Sequence, residues 1–221
     1  MDQQPHKLAV IVPYRDREEN LQIFIPSIKV YLDSQKIAHT IYVIEQEEGE
    51  TFHRGLIKNI GYLEADSSHD YFVFHDVDMI PKETDYGYEE NPTHLAVSVS
   101  QFGGGLPYEG FFGGVVLFNR ATYKTINGYS NGYVGWGGED DDLLYRCHLA
   151  GLKVQRKAPG IFESLSHPRG LNNVAYAGNV KRIQAMWRGE IDWKAEGLNT
   201  SNYSVISKDQ NSDRTIIKVS I

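Results

Sequence analysis

The chain has 221 residues, 41% apolar and 23% charged, the proportions of a soluble globular protein long enough to bury a substantial core. A net charge of −7 argues against nonspecific binding to nucleic acid or to an anionic membrane, though not against an anionic ligand met through a bound cation. The single cysteine, Cys147, cannot form an intramolecular disulfide, no apolar run approaches the ~18 residues of a transmembrane segment, and the polar start through Lys7 is unlike a signal peptide. These features point to a cytoplasmic protein, peripheral to a membrane at most. Cys147 itself reads as a half-buried helix residue rather than an activated thiol.

In chain order, Leu8 to Val12 is a short apolar run closed by Pro13 and reads as a buried strand. Asp16 followed by Glu19 fits a capping box opening a helix through about Tyr31, which Pro26 should kink or split. His39 to Ile44 alternates and is β-branched, as a second strand would be. A helix is expected from Phe52 to Glu64, with Leu56, Ile57, Ile60 and Leu63 on one face. Tyr71 to Phe74 is a third buried strand, running directly into His75-Asp76-Val77-Asp78.

Strand-helix-strand-helix-strand order implies an α/β protein with a mostly parallel central sheet flanked by helices. Ligands of such sheets bind at the carboxyl ends of the strands, where both Pro13 to Arg17 and His75 to Asp78 fall. Further on, Leu95 to Ser100 and Val115 to Phe118 read as strands. Ser130 to Gly138 is a glycine- and aromatic-rich loop. Glu139 to Ala150 is a helix stopped by Gly151, Gly178 to Arg188 is another, and Tyr203 to Ile206 and Thr215 to Val219 are late strands. No linker divides the chain, so residues 1–221 are read as one domain.

Two acidic clusters carry the chemistry. Asp76 and Asp78 alternate just past a buried strand, where hard oxygen ligands suit Mn²⁺ or Mg²⁺ bridging to a diphosphate. Asp-x-Asp alone also fits a solvated turn; its place at a strand's carboxyl end favours the ligand reading. Glu139 to Asp142 puts four acids in a row after Gly137-Gly138. Helix capping explains one or two of them, and packed like charges suit a general base or a polar-ligand cage. Trp136 offers a flat face to a sugar ring, and its flanking glycines would let that loop move as a lid. His167, taken alone, is an ordinary loop histidine. Arg15, Arg17 and Arg54 lie near the expected crevice and suit phosphate.

These segments resemble the β-1,4-galactosyltransferases, inverting metal-dependent enzymes with a GT-A fold. The resemblance rests on Val12-Pro13-Tyr14-Arg15-Asp16-Arg17-Glu18, on Phe72 to Pro81 with its His75-Asp76-Val77-Asp78, and on Phe112-Gly113-Gly114-Val115. It rests most on Ile126-Asn127-Gly128-Tyr129 leading into Gly135 to Asp142, and less on Glu196 to Asn199. It implies that Pro13, Tyr14, Arg15 and Arg17, helped by Phe52 and Arg54, contact the uridine and diphosphate of a UDP-sugar. Asp76 would face the ribose, with Val77 and Gly138 also at the donor. Asp78 and His167 would bind Mn²⁺. Trp136 would close over the donor, Asp140 would be the general base, and Glu139 and Asp141 would hold the acceptor or donor sugar.

Two departures from the family pattern matter. Relatives carry another metal-binding side chain two or three residues before the matching histidine, where this chain has Leu165 and Ser164. A tyrosine of the donor-sugar pocket is replaced by Phe111, which brings UDP-N-acetylgalactosamine into consideration. The expected reaction is transfer of galactose from UDP-galactose to an N-acetylglucosamine-type acceptor as a β-1,4 linkage. The alternatives are a UDP-N-acetylgalactosamine or UDP-glucose transferase of polysaccharide synthesis, or an inactive glycan-binding protein. The implied partners are a nucleotide sugar and a glycan acceptor, with no nucleic acid. The disulfides, stem and anchor of the animal Golgi enzymes are not seen in this sequence, which suggests a bacterial-type member or an excised catalytic domain.

Overall fold

The computed structural model describes residues 6–166 and 175–221. In chain order the first half gives β1 (Lys7–Tyr14), α1 (Glu18–Ser34), β2 (Ala38–Gln46), α2 (Arg54–Glu64) and β3 (Tyr71–His75). Then come β4 (Met79–Glu83), β5 (Thr93–His94), β6 (Ser98–Val99), β7 (Val115–Asn119), α3 (Arg120–Thr125) and α4 (Glu139–Leu149). The remainder is β8 (Gln155–Arg156), β9 (Ile161–Ser164), α5 (Tyr176–Trp187), β10 (Ser204–Gln210) and β11 (Thr215–Ser220).

The main sheet has eight strands in the order β10-β11-β2-β1-β3-β7-β5-β8. Its centre is parallel, with β1 between β2 and β3 and with β11 alongside β2. Towards the flanks the direction changes: β7 runs antiparallel to both β3 and β5, β10 and β11 form an antiparallel pair, and the edge pair β5–β8 is again parallel. A small second sheet has the order β4-β9-β6.

Alternation along β1 explains the two packed layers. Leu8, Val10 and Val12 join Phe24, Ile25, Ile28 and Leu32 of α1 in one buried cluster. Ala9 and Ile11 face the other way, onto Leu56, Ile57 and Ile60 of α2. The strands buried on both faces are therefore continuous apolar runs, as the sequence reading expected.

Several details differ from that reading. Asp16 does not cap α1: it has a left-handed φ of 52°, Arg17 holds the N-cap position, and no side chain caps the first turn. Pro26 does not split α1, which runs unbroken. Pro26 and Gln22, four residues before it, both sit on the exposed face, while Phe24, Ile25 and Ile28 anchor the buried side. Leu63 is 43% exposed, off the apolar face that holds Leu56, Ile57 and Ile60. Leu95 to Ser100 is not one strand, because the chain crosses there from the main sheet (β5) to the small one (β6) and then turns as a 3-10 helix over Ser100–Phe102. Gly151 does stop α4: the N–H of Leu152 donates to Cys147 O at 2.9 Å and that of Gly151 to His148 O at 3.0 Å, the paired bonds of a Schellman end. Cys147 is fully buried and its thiol is pushed up to about 12 by burial, so it is a packing residue. Among the described residues no helix is long and apolar enough to cross a membrane.

α2 lies close on the sheet because of Gly61. A Cβ there would stand 2.2 Å from Ile11 Cγ2 and 3.0 Å from Ile44 Cγ1. Gly61→Ala is expected to lower unfolding free energy by roughly 1–3 kcal/mol, through a shifted α2, despite alanine's better helix propensity. Urea titration would check this as a reduced midpoint at constant slope.

Candidate active site

The crevice opens where β1 and β3 end. β1 delivers Pro13 and the turn carrying Arg15 to Arg17, and β3 delivers Asp76 to Asp78. Together with Phe52 and Arg54 at the start of α2, these residues line a cavity of about 220 Å³ formed by Pro13, Arg15, Asp16, Arg17, Phe52, Arg54, Asp76, Val77 and Asp78. Every donor-side residue singled out from the first half of the sequence is present except Tyr14. Its ring packs in the core and its hydroxyl donates to Glu18 at 3.2 Å; burial and Glu18 push its pKa up to about 12. Alternation along β1 sends Tyr14 to the α1 face.

Arg15 is built into the wall. Its guanidinium donates to Glu50 O at 2.7 Å and lies 5.2 Å from the Phe52 ring centroid, a cation–π contact. His75 fixes the backbone that carries the acids. It is buried and neutral, its pKa lowered to about 4 by burial. Its Nδ1–H donates to Asp76 O at 3.0 Å, which leaves Nε2 to accept from the Tyr86 hydroxyl at 2.8 Å.

α4 brings the second acidic cluster to the same crevice, and the four acids have four different surroundings. Glu139 is buried and 3.3 Å from Arg54 Nη1. That same nitrogen is 3.8 Å from Asp76, so one guanidinium joins the two clusters. Burial opposes the charge on Arg54, yet Asp76, Glu139, Asp140 and Asp78 together hold it more firmly protonated than usual. Asp140 Oδ1 is 3.4 Å from the ammonium of Lys58. Asp141 accepts from the Tyr108 hydroxyl at 2.7 Å, and burial raises the carboxyl's pKa. Asp142 turns away from the crevice into the core, where it pairs with Arg146 and accepts from Tyr133 at 3.1 Å. The acidic run thus divides into three crevice residues and one structural one.

Gly113 lets the crevice walls meet. A Cβ on it would lie 2.3 Å from Asp140 Oδ2 and 2.7 Å from Phe111 Cζ, so only glycine lets that carboxylate and that ring share the spot. Trp136 is 60% exposed, with its ring 5.6 Å from Tyr176 of α5. The glycine-rich loop around it is held at both ends of the crevice. Gly135 N–H donates to Phe52 O at 2.8 Å, and Asn179 Nδ2 donates to Val134 O at 2.9 Å and Trp136 O at 3.1 Å. Gly138, at φ 93°, starts α4 with its Cα against the Tyr133 ring.

For a divalent cation, the donor set offers carboxylates at Asp76 and Asp78. His167 lies outside the described residues. The chain leading to it does pass Asp78, because Leu165 N–H donates to Asp78 O at 2.7 Å. Ser164 is paired with Met79 in the β4–β9 ladder. Among the described residues, which do not include His167, no group of three His, Cys, Asp or Glu side chains could hold a metal.

Two family models match the chain: "N-terminal region of glycosyl transferase group 7" over residues 3–90 and "N-terminal domain of galactosyltransferase" over residues 93–168. Human β-1,4-galactosyltransferase 4 is 39% identical over 212 residues, covering 93% of this chain and 60% of that protein. The chain belongs to the β-1,4-galactosyltransferase family of glycosyl transferase group 7. It spans about 60% of the length of the first curated relatives it matches. The catalytic domain of Drosophila β-1,4-galactosyltransferase 7, in complex with xylobiose, superposes with a TM-score of 0.81 at 28% identity, covering 98% of this chain and 94% of that one. A mutant of the same Drosophila enzyme, in complex with manganese, UDP-Gal and xylobiose, gives 0.80 at 29% identity. The fold is the GT-A arrangement of this galactosyltransferase family.

Three residues that shape this galactosyltransferase-family crevice were not singled out from the sequence: Lys58, Tyr108 and Glu196's partner Arg182. Lys58 was hidden inside an apolar helix face, although its spacing of four from Arg54 places both cations on one side of α2. Glu196 accepts from Ser130, Arg146 and Arg182, tying the start of the glycine loop to α4 and α5.

Glu139 generates a pH prediction. Burial first, then Asp140, raises its carboxyl pKa, with Arg54 and Lys58 opposing. The folded state therefore retains a proton that the unfolded chain loses, so this residue's contribution falls as pH rises through the unfolded value near 4.5 towards the raised folded value. The stability of Glu139→Gln relative to wild type should accordingly improve with rising pH over that window and then level off. Thermal melts of both proteins from pH 4 upward would show a flat difference if Glu139 kept its ordinary value.

Proposed function

We propose that this chain transfers galactose from UDP-galactose to a hydroxyl of an N-acetylglucosamine-type acceptor, with inversion, to give a β-1,4 linkage. The observation that carries the reading is the convergence of the two acidic clusters on one crevice, with Arg54 shared between Asp76 and Glu139. The related Drosophila enzyme was crystallised with manganese, UDP-Gal and xylobiose, which supports a UDP-sugar donor, Mn²⁺ and a sugar acceptor here.

In this reading Pro13, Arg15, Arg17, Phe52, Arg54, Asp76 and Val77 hold the nucleotide, with Tyr14 serving through its backbone. Asp78 and His167 would hold the divalent ion, which when bound supplies positive charge against the diphosphate. Trp136 and Gly138 close the donor side, and Glu139, Asp141 and Phe111 hold the sugars. Asp140 takes the proton from the acceptor hydroxyl. That oxygen forms a bond to the anomeric carbon as the carbon's bond to UDP breaks on the opposite face, and UDP leaves with the electron pair.

Phe111 supports a second donor. Its ring stands against Gly113 and 5.6 Å from Tyr108, with no hydroxyl to offer a sugar. UDP-N-acetylgalactosamine is the alternative donor for this pocket, and Phe111→Tyr should shift the donor preference towards UDP-galactose in a competition assay read by mass spectrometry.

Asp140→Asn is expected to lower kcat by roughly 10²–10⁴-fold while UDP binding by calorimetry stays within error of wild type. Undiminished turnover would remove Asp140 from its role as base.

A further inference from the structure

We propose that Lys58 is a positioning residue for sugar transfer, holding one oxygen of Asp140 so that the other is presented to the acceptor. The inference rests on the reading of Asp140 as the base and adds a residue that reading did not contain.

Lys58 is 1% exposed, in the middle of a stretch of α2 that is buried from Gly55 to Tyr62. A lysine in such a place is rare unless its charge has a partner. Its ammonium is 3.4 Å from Asp140 Oδ1, 3.3 Å from the Tyr129 hydroxyl and 4.6 Å from the Tyr129 ring centroid. Asp140 is thus the carboxylate in contact with the Lys58 ammonium, whose other close polar neighbour is a phenol, while Glu139 feels the same charge without an ion-pair contact. The two oxygens of Asp140 have separate surroundings. Oδ1 points inward to Lys58, and Oδ2 lies over Gly113 beside Phe111, on the wall assigned to the sugars.

Stability alone does not explain a lysine here. A well-packed apolar side chain of similar length in place of a buried ion pair is commonly neutral or stabilising. What the ammonium provides is direction: a carboxylate gripped at one oxygen cannot rotate the other away from the crevice. A small misplacement of a catalytic group is enough to cost about 10²-fold in rate.

The test uses Lys58→Met, Asp140→Asn and the double variant, assayed with UDP-galactose, N-acetylglucosamine and Mn²⁺. Lys58→Met should lower kcat by roughly 10–100-fold with the KM for UDP-galactose within about twofold of wild type. It should cause no further loss of residual transfer when added to Asp140→Asn. Melting temperatures give a second readout: Asp140→Asn should destabilise the wild-type chain, which keeps a buried ammonium without its contacting carboxylate, and not the Lys58→Met chain. Lys58→Gln, which retains an N–H donor without the charge, should recover part of the lost kcat and serves in place of Lys58→Met if the latter does not fold. Unchanged kcat in Lys58→Met, or equal losses with and without Asp140, would overturn the proposal. Full turnover by Asp140→Asn alone would instead overturn the assignment of the base.

Discussion

The structure depends on placing two cations, Arg54 and Lys58, beneath a ridge of carboxylates. They are one turn apart on α2, and they meet Glu139 and Asp140, adjacent residues at the start of α4. Acids crowded at the mouth of a crevice repel one another and resist burial, and without compensation they would take up protons or splay apart. The chain carries a net charge of −7, so bulk charge does not supply that compensation. Two positive side chains on one rigid helix supply part of it, and the buried Glu139 carboxyl still keeps a raised pKa. Arg54 reaches Asp76 as well, so the strand-end and helix-start clusters are held at a fixed separation.

Around this ladder, space is made by removing side-chain atoms. Gly61 brings α2 down onto β1 and β2, and hence brings Arg54 and Lys58 within reach of α4. Gly113 gives room for Asp140 and Phe111 to converge, and Gly138 starts α4 against Tyr133. Glycine costs backbone entropy at each place, and the close approaches explain its presence. Asp142 and Arg146 then anchor α4 from the opposite side, buried in a network that includes Glu196 and Arg182. The acids of the crevice sit on elements that are held from both faces.

Much of this was legible in the residues. The three leading strands could be read because strands buried on both faces are continuous apolar runs, and the crevice because two polar segments ended such strands. Nearly all the donor-side residues, from Pro13 through Asp78, line one cavity as expected. Failures came where long-range contacts overrode local rules. Asp16 followed by Glu19 has capping-box spacing, but the turn at the end of β1 twists Asp16 into a left-handed conformation and leaves it in the cavity wall. Pro26 has a breaker's chemistry, but it falls on the solvent face of a helix held by its other side. The direction of β7 could not be read at all, since a buried strand has the same pattern parallel or antiparallel. Lys58 was invisible because an apolar helix face gave no local reason to expect a charge. The acidic run looked uniform because a row of carboxylates in sequence says nothing of the separate partners each finds around a helix.

The pairing of β11 with β2 has a further consequence. Thr215 to Val219 lie in register with Tyr42 to Gln46, so a strand late in the chain completes the edge of one made early. A nascent chain could assemble β1, β2, β3 and their helices and still expose the backbone of β2 as an open template for intermolecular pairing. Closing that edge requires a very long loop, which makes it a slow event relative to local folding. That edge lies on the opposite side of β1 from β3 and its acids, so the burden β11 relieves is one of folding and is separate from the chemistry of the crevice.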